Sequence, residues 1–193
     1  MNKSVQRVFL LALSAFVAAC AYSPQRITVQ PVLSVEGEAY GNGTPVVVSG
    51  SDQRQNRVLG SVGGVYRDSA NITIANDLEA ALSRAANGLL ASKGFVVNSP
   101  DPSAVHLTIV IEDISYQTLE APIGSNVKLS AVLRAEATRG GDTFSGRYQS
   151  DTERKSVTKP DAQDNEKWFN ELLSNTLIRM FDDPKLRQFL LQH

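Results

Sequence analysis

The sequence predicts an α+β domain in which a mostly antiparallel sheet has one apolar face covered by two amphipathic helices. Three observations predict this fold class. Several segments alternate apolar and polar residues with a period of two, which is typical of strands with one buried face. Two segments repeat apolar residues every three or four positions, as helices with one buried side do. The chain order of strands, helix, strands, helix lets the helices cover the sheet.

The strand pattern is clearest in the second half of the chain. From Val127 to Ala137 the odd positions are apolar, whereas most of the even positions are polar. A turn sequence at 139–142 contains two glycines and leads into a second alternating run that includes Phe144 and Tyr148. Alternation on both sides of a glycine-rich turn predicts a long antiparallel hairpin.

Further strands are expected before this hairpin. Residues 105–112 alternate in the same way and predict a third strand. Weaker runs at 27–33 and 46–48 predict strands near the start, and 95–97 predicts a short strand in mid-chain. The glycine-rich stretch 36–44 is expected to be a loop.

Two helices complete the predicted elements. Asn76-Asp77 offers an N-cap for the first helix, and Gly94 ends it. Its apolar stripe consists of Leu78, Leu82, Ala85 and Leu89. The second helix is expected to begin at Ala162 or Asp164 and to end at Phe181. Its stripe consists of Phe169, Leu172, Leu173, Thr176, Leu177 and Met180. A last helical turn or two should follow Asp183-Pro184, with Leu186, Phe189 and Leu190 on its apolar side.

The first 20 residues have the layout of an export signal. Lys3 and Arg7 precede 12 apolar or small residues that begin at Val8, and Cys20 follows. This stretch is shorter than the roughly 20 residues that a transmembrane helix needs. We therefore expect a removed signal peptide, a lipidated tether and a single α+β domain, at 1–19, 20–25 and 26–193 respectively.

The end of this segment, Val17-Ala18-Ala19-Cys20, resembles the lipobox of bacterial lipoproteins, with Val17 where Leu is usual. The resemblance implies cleavage between Ala19 and Cys20 and a diacylglyceryl group on the Cys20 thiol. It also implies an N-acyl chain, such as palmitate, on the new amino terminus. Together such chains anchor a protein stably to a membrane. Because Ala21 rather than Asp follows the cysteine, the Gram-negative sorting rule favours the outer membrane, with the domain on the periplasmic face.

Composition narrows the classes of function. The formal net charge is −1, and loss of Lys3 and Arg7 with the signal leaves about −3 on the mature chain. Such a balance argues against a nucleic-acid partner, which would need a basic surface. The single cysteine excludes an internal disulfide and a cysteine metal cluster.

The sequence contains no recognisable catalytic pattern. Of its two histidines, His106 lies on the polar side of a predicted strand and His193 is the last residue. Nucleotide-binding glycine motifs, the G-x-S-x-G nucleophile motif and the H-E-x-x-H metal motif are all absent. We therefore expect no enzyme, no metal site and no cofactor other than the acyl chains on Cys20.

One polar cluster, Asp52-Gln53-Arg54, directly follows a predicted strand. Arg54 can clamp a carboxylate or phosphate of a ligand or partner. Alternatively, Asp52 makes a turn and Arg54 pairs with a neighbouring acid. Trp168 and Phe169 likewise have two interpretations, as core residues or as a patch that faces a partner.

The order of features resembles that of the YajG-like lipoproteins, a family without an assigned biochemical role. The features that carry the resemblance are the lipobox cysteine, the runs at 27–31 and 46–54, the helix ending in Lys93-Gly94-Phe95, and the tail with Ile178-Arg179-Met180, Asp183 and Phe189-Leu190. The resemblance implies a lipoprotein with a single domain and supplies no catalytic residues.

From these observations we expect a non-enzymatic, membrane-anchored protein that binds or supports an envelope protein or cell-wall partner. A polar sheet face is one candidate surface, with Lys128, Arg134, Glu136 and Arg147 on it. An unpaired sheet edge is another. The alternative is a small-ligand module in which Arg54 and nearby loops recognise a peptidoglycan fragment or another anionic envelope molecule.

Overall fold

The computed structural model describes residues 23–34, 37–63, 70–119 and 124–191. Within these ranges the chain forms two sheets and three helices. The strands are β1 (Gln25–Ile27), β2 (Pro45–Asp52), β3 (Val58–Ser61), β4 (Asn71–Ile74), β5 (Val96–Val97), β6 (Val105–Leu119), β7 (Ser125–Arg139) and β8 (Asp142–Ser156). The helices are α1 (Leu78–Ser92), α2 (Ala162–Asp182) and α3 (Pro184–Leu191). The predicted signal peptide, Cys20 and His193 lie outside the described residues.

The larger sheet has the strand order β5-β2-β6-β7-β8. β2 runs parallel to β5 and β6, whereas β6, β7 and β8 are antiparallel neighbours. The last three strands are 15 residues long each, so antiparallel pairing dominates the sheet. The predicted hairpin is confirmed as β7 and β8, and Gly140 takes a positive φ of 60° in its turn.

The helices cover one face of this sheet, as predicted. α1 packs on β2 and β6, α2 packs on β7 and β8, and α3 continues along β8. The odd-numbered side chains of β7 point into this core and are almost fully buried: Val127, Leu129, Ala131, Leu133, Ala135 and Ala137. The predicted stripe of α2 is buried against them along its whole length.

The start of α1 lies unusually close to β2. A Cβ atom at Gly50 would stand 2.6 Å from the carbonyl oxygen of Glu79. The missing side chain at Gly50 therefore allows the helix to approach the strand. Asp77 caps α1 by accepting a hydrogen bond from the amide of Ala80 at 2.9 Å.

β6 is longer than the predicted strand at 105–112 because a β-bulge lies where the alternation breaks. The pairing with β7 shifts between Ile111 and Asp113, which leaves Glu112 as the extra residue. Before the bulge the odd positions are buried, and after it the even positions Ile114 and Tyr116 are buried instead. The bulge lets β6 keep its apolar side toward the helices.

A second sheet, which was not predicted from the sequence, has the order β1-β4-β3. Its strands are only three or four residues long. The expectation of a strand across 27–33 is wrong beyond Ile27, where β1 ends. The alternation in this segment is real, since Val29 and Pro31 are buried whereas Gln30 and Val32 are exposed. Its backbone, however, bonds to side chains rather than to a neighbouring strand.

Candidate functional site

Asp52 and Arg54, two of the three residues singled out after β2, bind each other. The guanidinium of Arg54 donates from Nε and Nη2 to the two carboxylate oxygens of Asp52, at 2.9 and 2.8 Å. The amide of Arg54 donates to the same carboxylate at 3.2 Å, which closes an Asx-type turn. Arg57 contacts this carboxylate from the solvent side. The geometry matches the structural interpretation of the cluster, in which Arg54 pairs with a neighbouring acid.

Both members of this ion pair are buried. The side chains of Arg54 and Asp52 are only 4% and 5% exposed, whereas that of Arg57 is 65% exposed. Burial by itself raises the pKa of Asp52, but the hydrogen bonds from Arg54 outweigh it and hold the pKa below its ordinary value. The carboxylate is therefore charged in the folded protein at neutral pH. It offsets most of the positive charge that Arg54 would offer a ligand.

A cleft of about 310 Å³ lies beside this pair, at the start of α1. Arg54 and Arg57 line it together with the acidic side chains Asp52, Asp77 and Glu79. Glu79 is fixed there because it accepts a hydrogen bond of 2.7 Å from the amide of Asp52. One atom stands out, since Arg54 Nη1 is buried and has no hydrogen-bond partner among the described residues.

Gln53, the third predicted residue, belongs to a different surface. Its amide donates to the carbonyl oxygen of Ile111, which extends the pairing of β2 with β6. Its side-chain oxygen accepts a hydrogen bond of 3.4 Å from Arg134 Nη2 on β7. Gln53 thus points to the side of the sheet opposite the helices, away from the cleft at Arg54.

On that side, a polar network crosses β6, β7 and β8 and reaches Gln53, the residue after β2. Glu112, at the bulge of β6, accepts hydrogen bonds of 2.7 Å from both Arg134 on β7 and Arg147 on β8. Arg134 also pairs with Glu136 and reaches Gln53. The hydrogen bonds from Arg134 and then Arg147 lower the pKa of Glu112. The strand alternation placed Arg134, Glu136, Arg147 and also Glu112 on polar sides of their strands. The position of Glu112 at a bulge, between the two arginines, was not predicted.

This surface, which we call the outward face, is open along β8. Every second residue of β8 from Thr143 to Glu153 is polar, and every one of these residues is exposed. We define the outward face by the following polar side chains: Gln53, Glu112, Lys128, Arg134, Glu136, Thr143, Ser145, Arg147, Gln149, Asp151 and Glu153. The strand alternation predicted a polar sheet face with Lys128, Arg134, Glu136 and Arg147 on it. All four side chains lie on the outward face.

The segment after β1 follows α2 as an extended strap, residues 28–32. The amides of Thr28, Gln30 and Val32 donate in turn to Glu166, Asn170 and Ser174 at 2.6, 2.6 and 3.1 Å. Two extended residues advance about 6.6 Å and four helical residues about 6 Å, so the two repeats stay in step. The start of the domain is thereby fixed along one side of α2.

The remaining predicted residues have ordinary structural positions. His106 is exposed on β6, as its place on the polar side of a strand implies. Phe169 is fully buried and Trp168 packs against the core, so the core interpretation of this pair is confirmed. His, Cys, Asp and Glu side chains of the described ranges nowhere gather in a group of three that could hold a metal ion. In the part of the chain that the structure describes, no helix combines the length and apolar character needed to cross a bilayer.

Comparison with known proteins gives one family and several similar structures. A family model described as "uncharacterized lipoprotein" matches residues 31–191. No curated protein matches the chain. A solved structure of an uncharacterized protein has a TM-score of 0.50 and 14% identity, covering 82% of this chain and 97% of its own. At such low identity the likeness shows the fold alone.

Two further solved structures have lower TM-scores. One is a putative neuraminyllactose-binding hemagglutinin homolog from Helicobacter pylori, with a TM-score of 0.45 and 13% identity over 85% of this chain and 96% of its own. The other is a Xanthomonas campestris protein of family DUF330, with a TM-score of 0.48 and 13% identity over 82% and 91%.

The family match covers most of the chain and runs from the strap through α3. It includes the Asp52–Arg54 ion pair, the outward face and both large helices. The resemblance drawn from the sequence is thereby confirmed. The chain belongs to the YajG-like family of uncharacterised lipoproteins.

Proposed function

We propose that this lipoprotein is held on the outer membrane by acyl chains on Cys20, faces the periplasm, catalyses no reaction and binds another envelope component through its outward face. The observation that carries the proposal is the uninterrupted exposure of polar side chains along β8. A face built on three strands of 15 residues is broad enough for a protein–protein interface, which buries about 800 Å² on each partner.

The network around Glu112 supports a binding role for this face. Because Glu112 holds Arg134 and Arg147 in fixed orientations, these side chains lose little further freedom on binding. Arginine is also common at the energetic centre of protein interfaces. The charges of Glu112, Glu136, Arg134 and Arg147 balance, so the face suits a partner with a mixed polar surface.

Site-specific crosslinking in intact cells tests this proposal. A photo-crosslinking amino acid at Ser145 or Gln149, both exposed on the outward face, should give a discrete adduct with one envelope component. The matched control is Arg84, which is exposed on α1 on the opposite side of the sheet. Equal adducts at all three positions, or monomer alone at both outward positions, would contradict the proposal.

A charge reversal makes the test more specific. Arg147→Glu places a carboxylate beside Glu112 and should weaken the adduct formed from Gln149. The side chain of Arg147 is 57% exposed, so the melting temperature should change little. An adduct of unchanged yield would show that Arg147 has no part in binding.

A second candidate function is recognition of a small anionic molecule, such as a peptidoglycan fragment, in the cleft beside Arg54. The observation that favours it is the unpartnered Nη1 atom of Arg54 in the wall of a 310 Å³ cleft. The three carboxylates that also line this cleft, those of Asp52, Asp77 and Glu79, would repel an anionic ligand. Arg57→Ala is the suitable test variant because Arg57 is mostly exposed. It should abolish a thermal shift produced by muropeptides if they bind there, and an unchanged shift would exclude the cleft.

A further inference from the structure

The first described residues lie against the loop that joins β8 to α2. The side-chain nitrogen of Gln25 donates to the carbonyl oxygen of Pro160 at 3.1 Å, and Asn165 on α2 donates to the Gln25 oxygen at 2.6 Å. Ser23 and Arg26 line one shallow cleft together with Lys159. We call this part of the surface, residues 23–26 and 155–161, the anchor end.

The anchor end exposes an apolar side chain together with several cationic ones. Val157 is 87% exposed, the highest value among the exposed large apolar side chains of the described residues. Lys155 and Lys159 lie two residues to either side of it and are exposed, as is Arg26 on β1. Asp161 is the acidic residue in this stretch, and its carboxylate caps α2 by accepting from the amide of Asp164. Val157 therefore lies between two exposed lysines along the chain, and Arg26 and Lys159 line the neighbouring cleft.

The distance from Cys20 to this surface is short. Three residue steps separate Cys20 from Ser23, and an extended chain advances at most about 3.6 Å per residue. An acylated Cys20 would therefore hold Ser23 within about 11 Å of the lipid headgroups. Because Gln25 is hydrogen-bonded to the carbonyl oxygen of Pro160, the loop at Pro160 is also held near the lipid headgroups.

We propose that the anchor end rests on the bilayer surface itself, with Val157 among the lipid headgroups and Arg26, Lys155 and Lys159 against anionic lipid. This inference rests on the proposed acylation of Cys20. Cationic side chains near a membrane are attracted to anionic headgroups, and a small apolar tip adds affinity once it leaves water. Contact at this end would orient the long strands away from the membrane and expose the outward face to partners.

Residue-specific fluorescence on the acylated full protein tests the inference. Val157→Cys is labelled with an environment-sensitive thiol dye, and the protein is placed in vesicles of phosphatidylethanolamine and phosphatidylglycerol. Thr143→Cys is the matched control, because it is exposed at the other end of β8, about 45 Å along the strand. We expect a blue-shifted emission and about twofold stronger quenching by headgroup-labelled lipid at position 157 only.

A pair of charge-reversal variants tests the attraction of the anchor end to anionic lipid. Lys155→Glu should reduce the quenching at position 157, and high salt should reduce it further because screening weakens attraction to anionic lipid. Arg179→Glu changes the charge equally but lies 17 residues beyond Ala162 along α2, about 25 Å away, and should have no effect.

The outcomes separate this inference from the proposed function. Mass analysis of the same sample first reports whether Cys20 bears acyl chains, and an unmodified thiol would overturn both. Acylated protein in which dyes at 157 and 143 behave alike would overturn the membrane contact alone. A dye at 157 that stays in water in vesicles but is protected in cells would show that a protein covers this end instead, which also contradicts the inference.

Discussion

Asn76 and Val29 exchange two hydrogen bonds of 2.8 Å. The amide of Val29 donates to Asn76 Oδ1, and Asn76 Nδ2 donates back to the carbonyl oxygen of Val29. The side chain of Asn76 thus satisfies both backbone groups that a neighbouring strand would otherwise satisfy. On the other side of the strap, Asn170 serves Thr28 and Gln30 in the same way. This arrangement orders the strap without making it part of a sheet.

We expect Asn76→Ala to destabilise the fold by about 1–3 kcal/mol, because it leaves two partly buried backbone groups of Val29 without partners. Chemical denaturation of the purified protein measures this change. Ser174→Ala is the control, since it removes one exposed hydrogen bond to Val32 and should cost under about 1 kcal/mol. Equal losses in the two variants would show that the amide pair at Val29 is not specially important.

Arg54→Ala should cost about 3 kcal/mol of folding free energy, because it leaves the buried carboxylate of Asp52 without its main partner. Breaking a buried ion pair typically costs roughly 3–5 kcal/mol. Arg57 remains in contact with Asp52, which keeps the expected loss near the lower end of that range. Arg57→Ala should cost less than about 1 kcal/mol, since its side chain is largely exposed. Urea denaturation of both variants checks the order, and a larger loss for Arg57→Ala would contradict it.

The Asp52 pair also predicts a dependence of stability on acid. The folded pKa of Asp52 lies below its ordinary value of 3.8 because the hydrogen bonds from Arg54 outweigh burial, which acts in the opposite direction. The charged carboxylate therefore stabilises the fold above pH 3.8, and this contribution is lost as the pH falls through the lower folded pKa.

We accordingly expect Asp52→Asn to be less stable than the native protein at neutral pH and to lose less stability on acidification. Melting temperatures between about pH 6 and about pH 2 measure both effects. Asp113→Asn, at an exposed position of β6, is the control and should follow the native curve. Parallel curves for Asp52→Asn and the native protein would rule out the linkage.

Tyr116→Phe should leave stability unchanged or raise it by about 1 kcal/mol, because the Tyr116 hydroxyl is buried with no hydrogen-bond partner among the described residues. Burial raises the pKa of this phenol to about 12. The Tyr116 phenol binds its proton more tightly in the folded state than in the unfolded state. The stability that this difference provides is lost as the pH rises from 10.0 toward 12, so alkaline destabilisation should be smaller in Tyr116→Phe. Thermal melts at neutral and alkaline pH test both statements.

Much of the fold could be predicted because its longest elements have simple periodicity. β7 has an apolar residue at every odd position from Val127 to Ala137, and each of these side chains is buried. α2 begins at a capping box formed by Asp161 and Asp164, and its apolar stripe from Phe169 to Met180 repeats over about three turns. In both elements one buried face decides the local structure, and the sequence shows that face directly.

The features that were not predicted have weaker signals in the sequence. β3 and β4 have four residues each, too few for a period to be evident, and Gly60 interrupts the pattern in β3. The strap alternates as a strand would, so nothing in its own residues reveals that its partners lie on α2. The network at Glu112 depends on a bulge, although the apolar Ile114 and Tyr116 at even positions were a visible sign of the change in phase.

The proposed anchor, compartment and orientation all depend on the covalent state of one atom, the sulfur of Cys20. Intact-mass and peptide analysis of the protein from its own envelope measures it directly. We expect a chain that begins at Cys20, with a diacylglyceryl group on the sulfur and an acyl chain on the amino terminus. A chain that retains residues 1–19 with an unmodified thiol at Cys20 would contradict the anchor, the compartment and the proposed orientation together.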